Sequence, residues 1–437
     1  MKKPEPPPQY LPSSVEALKK LAKPNLLNRL IKIERTHYPY WEDLKYRTKS
    51  WAADPKMLWK FIKDQRRFTA THFKFSNVKG CNFFLNTPGL IQKHLYELDL
   101  HLNGNLGGSL IPAEEKNRYL ISSIMEEAIA SSQLEGAATT RQVAKEMLEK
   151  ARAPQTKSEK MIINNYLTMR WVVENKQVSL SKETLLKIHS LITNGTLNKT
   201  DFEGSFRDND NVRVMDETNE VFYIPPSYKH VEQLIEDFCT YANDKEKDTE
   251  FVHPVVKGII LHFLIGYIHP FVDGNGRTAR AIFYWYLIKK GYWLIEYMSV
   301  SRVILKSPTQ YARAYLHTEY DENDLTYFIL YNIKALHLAW EDLKKYIHRK
   351  KEERKKLLLV LRDGGYNDRQ IVIIKDILQN REQFFSVKQV ENRFGLSNQT
   401  ARNDLNGLVE KKILILRHQG NKAQFFASDD IEKVLAI

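Results

Sequence analysis

Apolar positions along this chain fall mostly at helical spacing, and strand-type alternation is scarce. The run AEEKNRYLISSIMEEAIASSQLEG, residues 113–136, predicts an amphipathic helix. Further helices are expected over about 158–175, 182–194, 228–243, 251–268 and 277–290. The stretch 251–268, FVHPVVKGIILHFLIGYI, is apolar nearly all round, and a helix without a polar face belongs in the centre of a domain. Residues 204–226, GSFRDNDNVRVMDETNEVFYIPP, break the helical pattern. Two short strand-like runs, VRVM and VFYI, are joined by DETNE and closed by Pro225 and Pro226, which predicts a β-hairpin. Its DNDN cluster lacks the glycine and glutamate a calcium loop needs at its sixth and twelfth positions.

The two ends of the chain read differently. Residues 1–110 are rich in Trp, Tyr and Phe (YPYWEDLKYRTKSW, MLWKFIKDQRRF) and read as amphipathic helices packing on a neighbour, followed by an NGNLGG loop at 103–108. HRKKEERKKLL, 348–358, reads as a solvated helix leading out of the core, so the expected domains are 1–110, 111–347 and 348–437. In the last of these, SVKQVENRF predicts a short helix, GLS a turn, and NQTARNDLNGLVEKKIL a second helix with Ala401, Leu405 and Leu408 on its apolar side. LILRHQ and AQFFA are strand-like and joined by GNK. Helix, turn, helix and hairpin together resemble a winged helix-turn-helix, whose second helix enters the DNA major groove. The side chains placed to reach bases are Asn398, Gln399, Thr400, Arg402 and Asn403, with Arg417, His418 and Lys422 on the wing facing phosphates. Winged helices also serve as protein-contact modules, and both uses stay open.

Charge sharpens this picture only at the ends. The formal net charge is +13 over 437 residues. Residues 1–110 carry 19 Lys+Arg against 9 Asp+Glu, and residues 351–437 carry 16 against 12. Basic ends suit nucleic acid or an acidic partner, or simply a solvated surface. Two cysteines, Cys81 and Cys239, cannot build a disulfide framework or a cysteine-rich zinc site. MKKPEPPPQYLPSS has no apolar stretch behind its lysines, and the strongest apolar run is too short to span a bilayer. A soluble cytoplasmic protein with no membrane contact is expected.

The densest chemistry lies at HPFVDGNGRTAR, residues 269–280, directly after the apolar helix. His269 is the natural general base there, because its ordinary pKa lies near neutrality. Asp273, Gly274, Asn275 and Gly276 are expected to form a turn, and Arg277 to open the next helix. A glycine-flanked turn entering a helix N-terminus offers free N–H groups to an anion. Arg277 and Arg280 are three residues apart and expected on one helix face, where their planar forks suit phosphate oxygens. Asp273 is placed to hold Mg²⁺ against phosphates. There is no G-x-x-x-x-G-K-[ST], so the segment is not a P-loop.

HPFVDGNGRTAR resembles the Fic motif, HxFx(D/E)GNGRxxR, at every fixed position. The resemblance covers about 113–340 and implies a mainly α Fic fold with a flap at 204–226, in which Gly204 and Arg207 of GSFR share the likeness. It implies AMPylation: transfer of AMP from ATP to a Ser, Thr or Tyr hydroxyl of a protein, the chain itself included. His269 would deprotonate that hydroxyl and Asp273 would hold Mg²⁺. Gly274, Asn275 and Gly276 would cradle the phosphates, and Arg277 and Arg280 would clamp the β- and γ-phosphates. Gly276 stands where the phosphorylating branch of the family often has Lys. Ser307, in SPTQY, stands where the family often carries an adenine-contacting Asn.

SSQLEG, 131–136, further resembles the family's inhibitory pattern, [S/T]xxxE[G/N], through Ser131, Glu135 and Gly136. An inhibitory helix over about 120–136 is implied, with Glu135 pairing with Arg280 where the γ-phosphate would lie. Resemblance alone suggests a homodimer. Two other functions stay open. The chain could be a DNA-binding regulator whose Fic domain senses nucleotide or modifies only itself, or an enzyme that removes AMP through a water oriented by Glu135.

Overall fold

The computed structural model describes residues 2–9, 24–51, 53–102, 116–215, 218, 220–244, 251–419 and 422–435. The expected loop at 103–108, residues 113–115, most of the hairpin turn at 216–219 and positions 420 and 421 of the wing lie outside the described residues. Contacts divide the chain into two units, residues 1–343 and 344–437.

The first unit opens with α1 (Pro24–His37), α2 (Trp41–Arg47), α3 (Pro55–Thr69), a hairpin of β1 (Thr71–Lys74) and β2 (Asn82–Leu85), and α4 (Gly89–Leu102). Then come α5 (Lys116–Leu134), α6 (Arg141–Glu149), α7 (Lys157–Glu174) and α8 (Lys182–Thr193). A second hairpin, β3 (Val214–Met215) and β4 (Val221–Tyr223), interrupts the helices. It is followed by α9 (Val231–Ala242), α10 (Pro254–Ile268), α11 (Asn275–Lys289), α12 (Val300–Leu305) and α13 (Pro308–Tyr320). Helix α14 (Thr326–Asp363) carries the chain into the second unit.

Side-chain caps set several boundaries: Thr140, Thr156 and Ser181 each accept a backbone N–H of the helix they precede. Helix α10 is buried along almost its whole length and packs against α11, as its all-round apolar sequence requires. The aromatic N-terminal segment forms its own cluster, with Tyr40, Trp41, Leu58, Trp59 and Ile62 packed against Tyr327 of α14. Its hairpin departs from the helical expectation. β1 and β2 are four residues each, paired Thr71↔Leu85 to Lys74↔Asn82, too short for alternation to stand out in the sequence.

The second unit holds α15 (Asp368–Gln379), β5 (Phe384–Phe385), α16 (Val387–Phe394), α17 (Asn398–Glu410), β6 (Leu414–Gln419), β7 (Lys422–Ala427) and α18 (Ile431–Leu435). The strands form one antiparallel sheet in the order β5-β7-β6. Ile373, Ile377, Val390, Ala401, Leu405, Leu408 and Phe425 build its core. Ser386 closes a capping box with Gln389, Gly395 ends α16 in the left-handed conformation, and Ser397 caps α17. The fold is mainly α: a helical domain with a β-hairpin, then a winged helix-turn-helix.

Candidate active site

Helix α10 delivers His269 to its C-terminal end, where the residue adopts φ 48° and ψ 58°. A non-glycine residue in this left-handed region is strained, and the surroundings hold it there. The His269 backbone carbonyl accepts from Arg207 Nε at 2.9 Å, and the Pro270 carbonyl accepts from the Arg207 N–H at 2.9 Å. Nδ1 of the ring lies 3.2 Å from the Gly266 carbonyl. A carbonyl only accepts, so Nδ1 carries the proton and Nε2 is left as a lone-pair base. Burial lowers the His269 pKa, which favours that neutral ring.

The loop after His269 is tied into one shape. Asn275 Oδ1 accepts from Phe271 N at 3.0 Å, and Asn275 Nδ2 donates to the Phe271 carbonyl at 2.9 Å. The Asn275 side chain therefore holds the loop, and what it offers an incoming anion is its backbone N–H. Helix α11 begins at Asn275 rather than at Arg277, so Asn275 and Gly276 belong to its first turn. Gly274 is the N-cap at φ 87°, and a Cβ there would lie 3.0 Å from Thr193 Cγ2. Any other residue would be strained and crowded. His189 of α8 stacks on Phe271 at 3.7 Å between ring centroids. Its Nδ1 accepts from Gly204 N at 3.1 Å while Nε2 reaches the Asp273 carbonyl at 2.8 Å. Burial drives its pKa down to about 4, so this linking ring is neutral.

Arg277 and Arg280 turn to different neighbours, although both leave the start of one helix. Arg277 is buried, with Nη1 donating to the Ile192 carbonyl at 3.2 Å and Nη2 3.5 Å from Asp273 Oδ1. Arg280 faces the end of α5. Its Nε donates to Ser131 Oγ at 2.7 Å, and its Nη2 donates to the Ser131 carbonyl and to Glu135 Oε1, both at 2.9 Å. The Glu135 carboxylate lies directly over the loop: a Cβ added to Gly276 would sit 2.1 Å from Oε1. Gly136 stops α5 at φ 88°, with Ala137 N donating to the Ser132 carbonyl at 3.0 Å and Gly136 N to the Gln133 carbonyl at 3.1 Å.

A cavity of about 230 Å³ opens above the loop. Glu135, His269, Gly276 and Arg280 line one side. Val214, Phe222 and Tyr223 of the hairpin and Tyr311, Tyr315 and Glu319 of α13 line the other. The hairpin is anchored by the Tyr223 hydroxyl, which donates to the Tyr267 carbonyl at 2.9 Å, and by Arg207, which donates to the Pro226 carbonyl and pairs with Asp210 at 3.0 Å. Ser307 is not in the lining; its hydroxyl lies 3.4 Å from Tyr331 Oη. Glu319 was not anticipated. Its Oε2 is shielded and has no hydrogen-bond partner, and burial pushes its pKa up to about 8. The signal was a carboxylate continuing the Tyr311, Tyr315 stripe at four-residue steps. A larger cavity of about 400 Å³ lies by α1 and α3, where the lining residues Glu34 and Arg66 pair with each other.

In the second unit, Asn398, Gln399, Arg402 and Asn403 of α17 are exposed and Thr400 is half-buried. Gln399 Nε2 donates to Asn403 Oδ1 at 2.9 Å, Asn398 Nδ2 to Glu391 Oε2 at 3.3 Å, and Thr400 Oγ1 lies 2.9 Å from Ser397 Oγ. Arg417 and His418 of β6 are exposed.

His269, the glycine-flanked loop, Arg277 and Arg280 are gathered between buried helices beneath a β-hairpin, in a mainly helical domain. Residues 179–287 match the Fic/DOC family and residues 369–423 match the DeoR-like helix-turn-helix domain; the chain is a Fic-domain protein with a C-terminal helix-turn-helix. Among curated relatives, the protein adenylyltransferase Fic of Nematostella vectensis is 36% identical over 70 residues, 16% of this chain and 16% of that protein. The protein of the same name from Drosophila melanogaster is 37% identical over 70 residues, 16% of this chain and 14% of that one. These matches span less than a fifth of either relative. Among solved structures, a Fic family protein from Desulfovibrio desulfuricans G20 is 20% identical with a TM-score of 0.50, covering 77% of this chain and 96% of that one. A fragment of Fic-1 from C. elegans is 14% identical with a TM-score of 0.51, covering 77% and 88%. These two likenesses are of fold.

Proposed function

We propose that this protein is an adenylyltransferase that transfers AMP from ATP to a hydroxyl of a protein and is held off by its own Glu135. The observation that carries the reading is the Glu135 carboxylate, bound to Arg280 at 2.9 Å and seated over Gly276 in the anion loop. His269 Nε2 takes the proton from the target hydroxyl. That oxygen forms a bond to the α-phosphorus, the bond from the α-phosphorus to the bridging oxygen breaks, and pyrophosphate leaves. Backbone N–H groups of the loop and the freed Arg280 bind the phosphates, so the protein contributes position and positive charge. Asp273 suits Mg²⁺: its carboxylate is half exposed, it lies 3.5 Å from Arg277 Nη2, and its donors are hard oxygens. When bound, Mg²⁺ supplies charge neutralisation at the phosphates. With Glu135 in place, the γ-phosphate would meet a carboxylate on the same guanidinium, which disfavours a productive pose. The flap suits an extended target segment added as a strand beside β3 and β4.

Intact mass after incubation with ATP and Mg²⁺ tests this reading. Glu135→Gly should raise AMP incorporation, into the chain itself or into proteins of a lysate, by roughly tenfold or more. Adding His269→Ala should lower it by about 10²-fold. Absence of incorporation by Glu135→Gly into any protein would overturn the reading. A second activity, DNA binding through α17, is favoured by the exposed polar side chains of Asn398, Gln399, Arg402 and Asn403 near the start of that helix.

A further inference from the structure

We propose that His94, Glu97 and His337 form a binding site for a divalent metal ion of the zinc class, away from the anion loop. His94 and Glu97 lie one turn apart on α4, and His337 comes from α14. One carboxylate oxygen serves both rings: Glu97 Oε2 is 3.3 Å from His94 Nδ1 and 3.8 Å from His337 Nδ1. All three donor atoms lie within 4.8 Å of one another. Ligands that share one tetrahedral zinc ion stand about 3.3–3.5 Å apart, so a small closing of the rings completes the set.

The His337 Nδ1 atom is shielded from solvent and has no hydrogen-bond partner. A polar nitrogen left that way is costly, and a metal ion on its lone pair would remove the cost. Two imidazoles and one carboxylate are a borderline donor set. They suit Zn²⁺ and its close relatives over Mg²⁺ or Ca²⁺, which take oxygen ligands.

The support is rigid on both sides. Ile91, Leu95 and Leu98 bury the inner face of α4, and Ile333 and Leu336 bury that of α14. His101, one turn beyond Glu97, stacks on Trp340 at 5.0 Å, so the two helices already meet beside the site. Three protein ligands leave one position for water. A metal here would staple α4, from the N-terminal part of the unit, to the helix that closes it.

The test is a titration of the full-length, chelator-stripped protein with Co²⁺, followed by its visible d–d bands, and then competition with Zn²⁺. Wild type should bind one equivalent with the intense bands of a low-coordinate site. His337→Ala and Glu97→Gln should weaken binding at least tenfold. His101→Ala, outside the donor set, should bind like wild type. Circular dichroism and melting of each metal-free variant separate loss of the site from loss of fold, and Glu97→Gln preserves shape. Zn²⁺ should raise the melting temperature of wild type and leave His337→Ala unmoved. The proposal is overturned if wild type shows no saturable binding, or if His94→Ala/His337→Ala gives the wild-type titration.

Discussion

His269 and Glu319 face one cavity, and burial pushes both toward their neutral forms. For His269 this lowers the pKa, so the ring stays a base to more acid pH than an ordinary histidine. The acid limb of AMP incorporation by Glu135→Gly should therefore lie below the usual 6.5. For Glu319 the direction is opposite: the carboxyl is neutral below about pH 8 and acquires charge above it. In the proposed reading, that charge would appear in a cavity that accepts a polyanion. Nucleotide affinity is expected to fall, by up to about tenfold, as pH rises through this range. Glu319→Gln cannot ionise and should hold its affinity between pH 7 and pH 9. Calorimetric binding of ATP to the two proteins at both pH values checks this without reference to turnover, and an equal loss in both would refute the role given to Glu319.

In the proposed reading, helix α5 is the element that would turn the Glu135–Arg280 contact into control. Its inner anchor is Glu127, 1% exposed, which accepts from the Tyr284 hydroxyl at 2.9 Å and from Ser299 Oγ and Ser301 N, both at 3.0 Å. These donors sit on α11 and around α12, so Glu127 fixes the helix two turns before Glu135. Glu127→Ala leaves buried donors unsatisfied and should cost about 2–4 kcal/mol. It should also raise AMP incorporation, because a looser α5 releases Arg280; a melt combined with the mass assay reads both effects. Helices such as α10 and α11 were legible in the sequence because their apolar patterns are long and their punctuation is clear. The motif loop was legible as a set of residue types but not as a shape. Gly274 starts the helix and Asn275 closes the loop through contacts with Phe271, and neither follows from spacing. Arg277 and Arg280 diverge because α8 and α5 approach the same helix start from different sides, a fact of packing between distant segments. His189 and Arg207 hold the loop across 84 and 62 residues of sequence, where local pattern carries no information.

At the scale of the whole molecule, one chain joins a Fic domain to a helix-turn-helix, so the two proposed activities can be tested separately by substitution. The helix-turn-helix offers Asn398, Gln399, Arg402 and Asn403 to solvent on α17 and Arg417 and His418 on β6. Residues 351–437 carry 16 basic against 12 acidic side chains. A surplus this small cannot hold DNA by charge alone, so specific binding would have to draw on base contacts from α17. Two signatures follow for the full-length protein on a selected duplex. Arg402→Ala should cost about 1–3 kcal/mol and relax preference at one base position, with the salt slope nearly unchanged. Arg417→Ala should weaken binding to all sequences alike and lower the salt slope by about one. Neither substitution touches the anion loop, so AMP incorporation by Glu135→Gly should be unaffected by adding either one. Duplex selection from a random pool, then binding isotherms at several salt concentrations, separates the outcomes. If no duplex is enriched, or both variants bind as wild type does, α17 is not a base-reading helix and its exposed polar face must serve a protein partner.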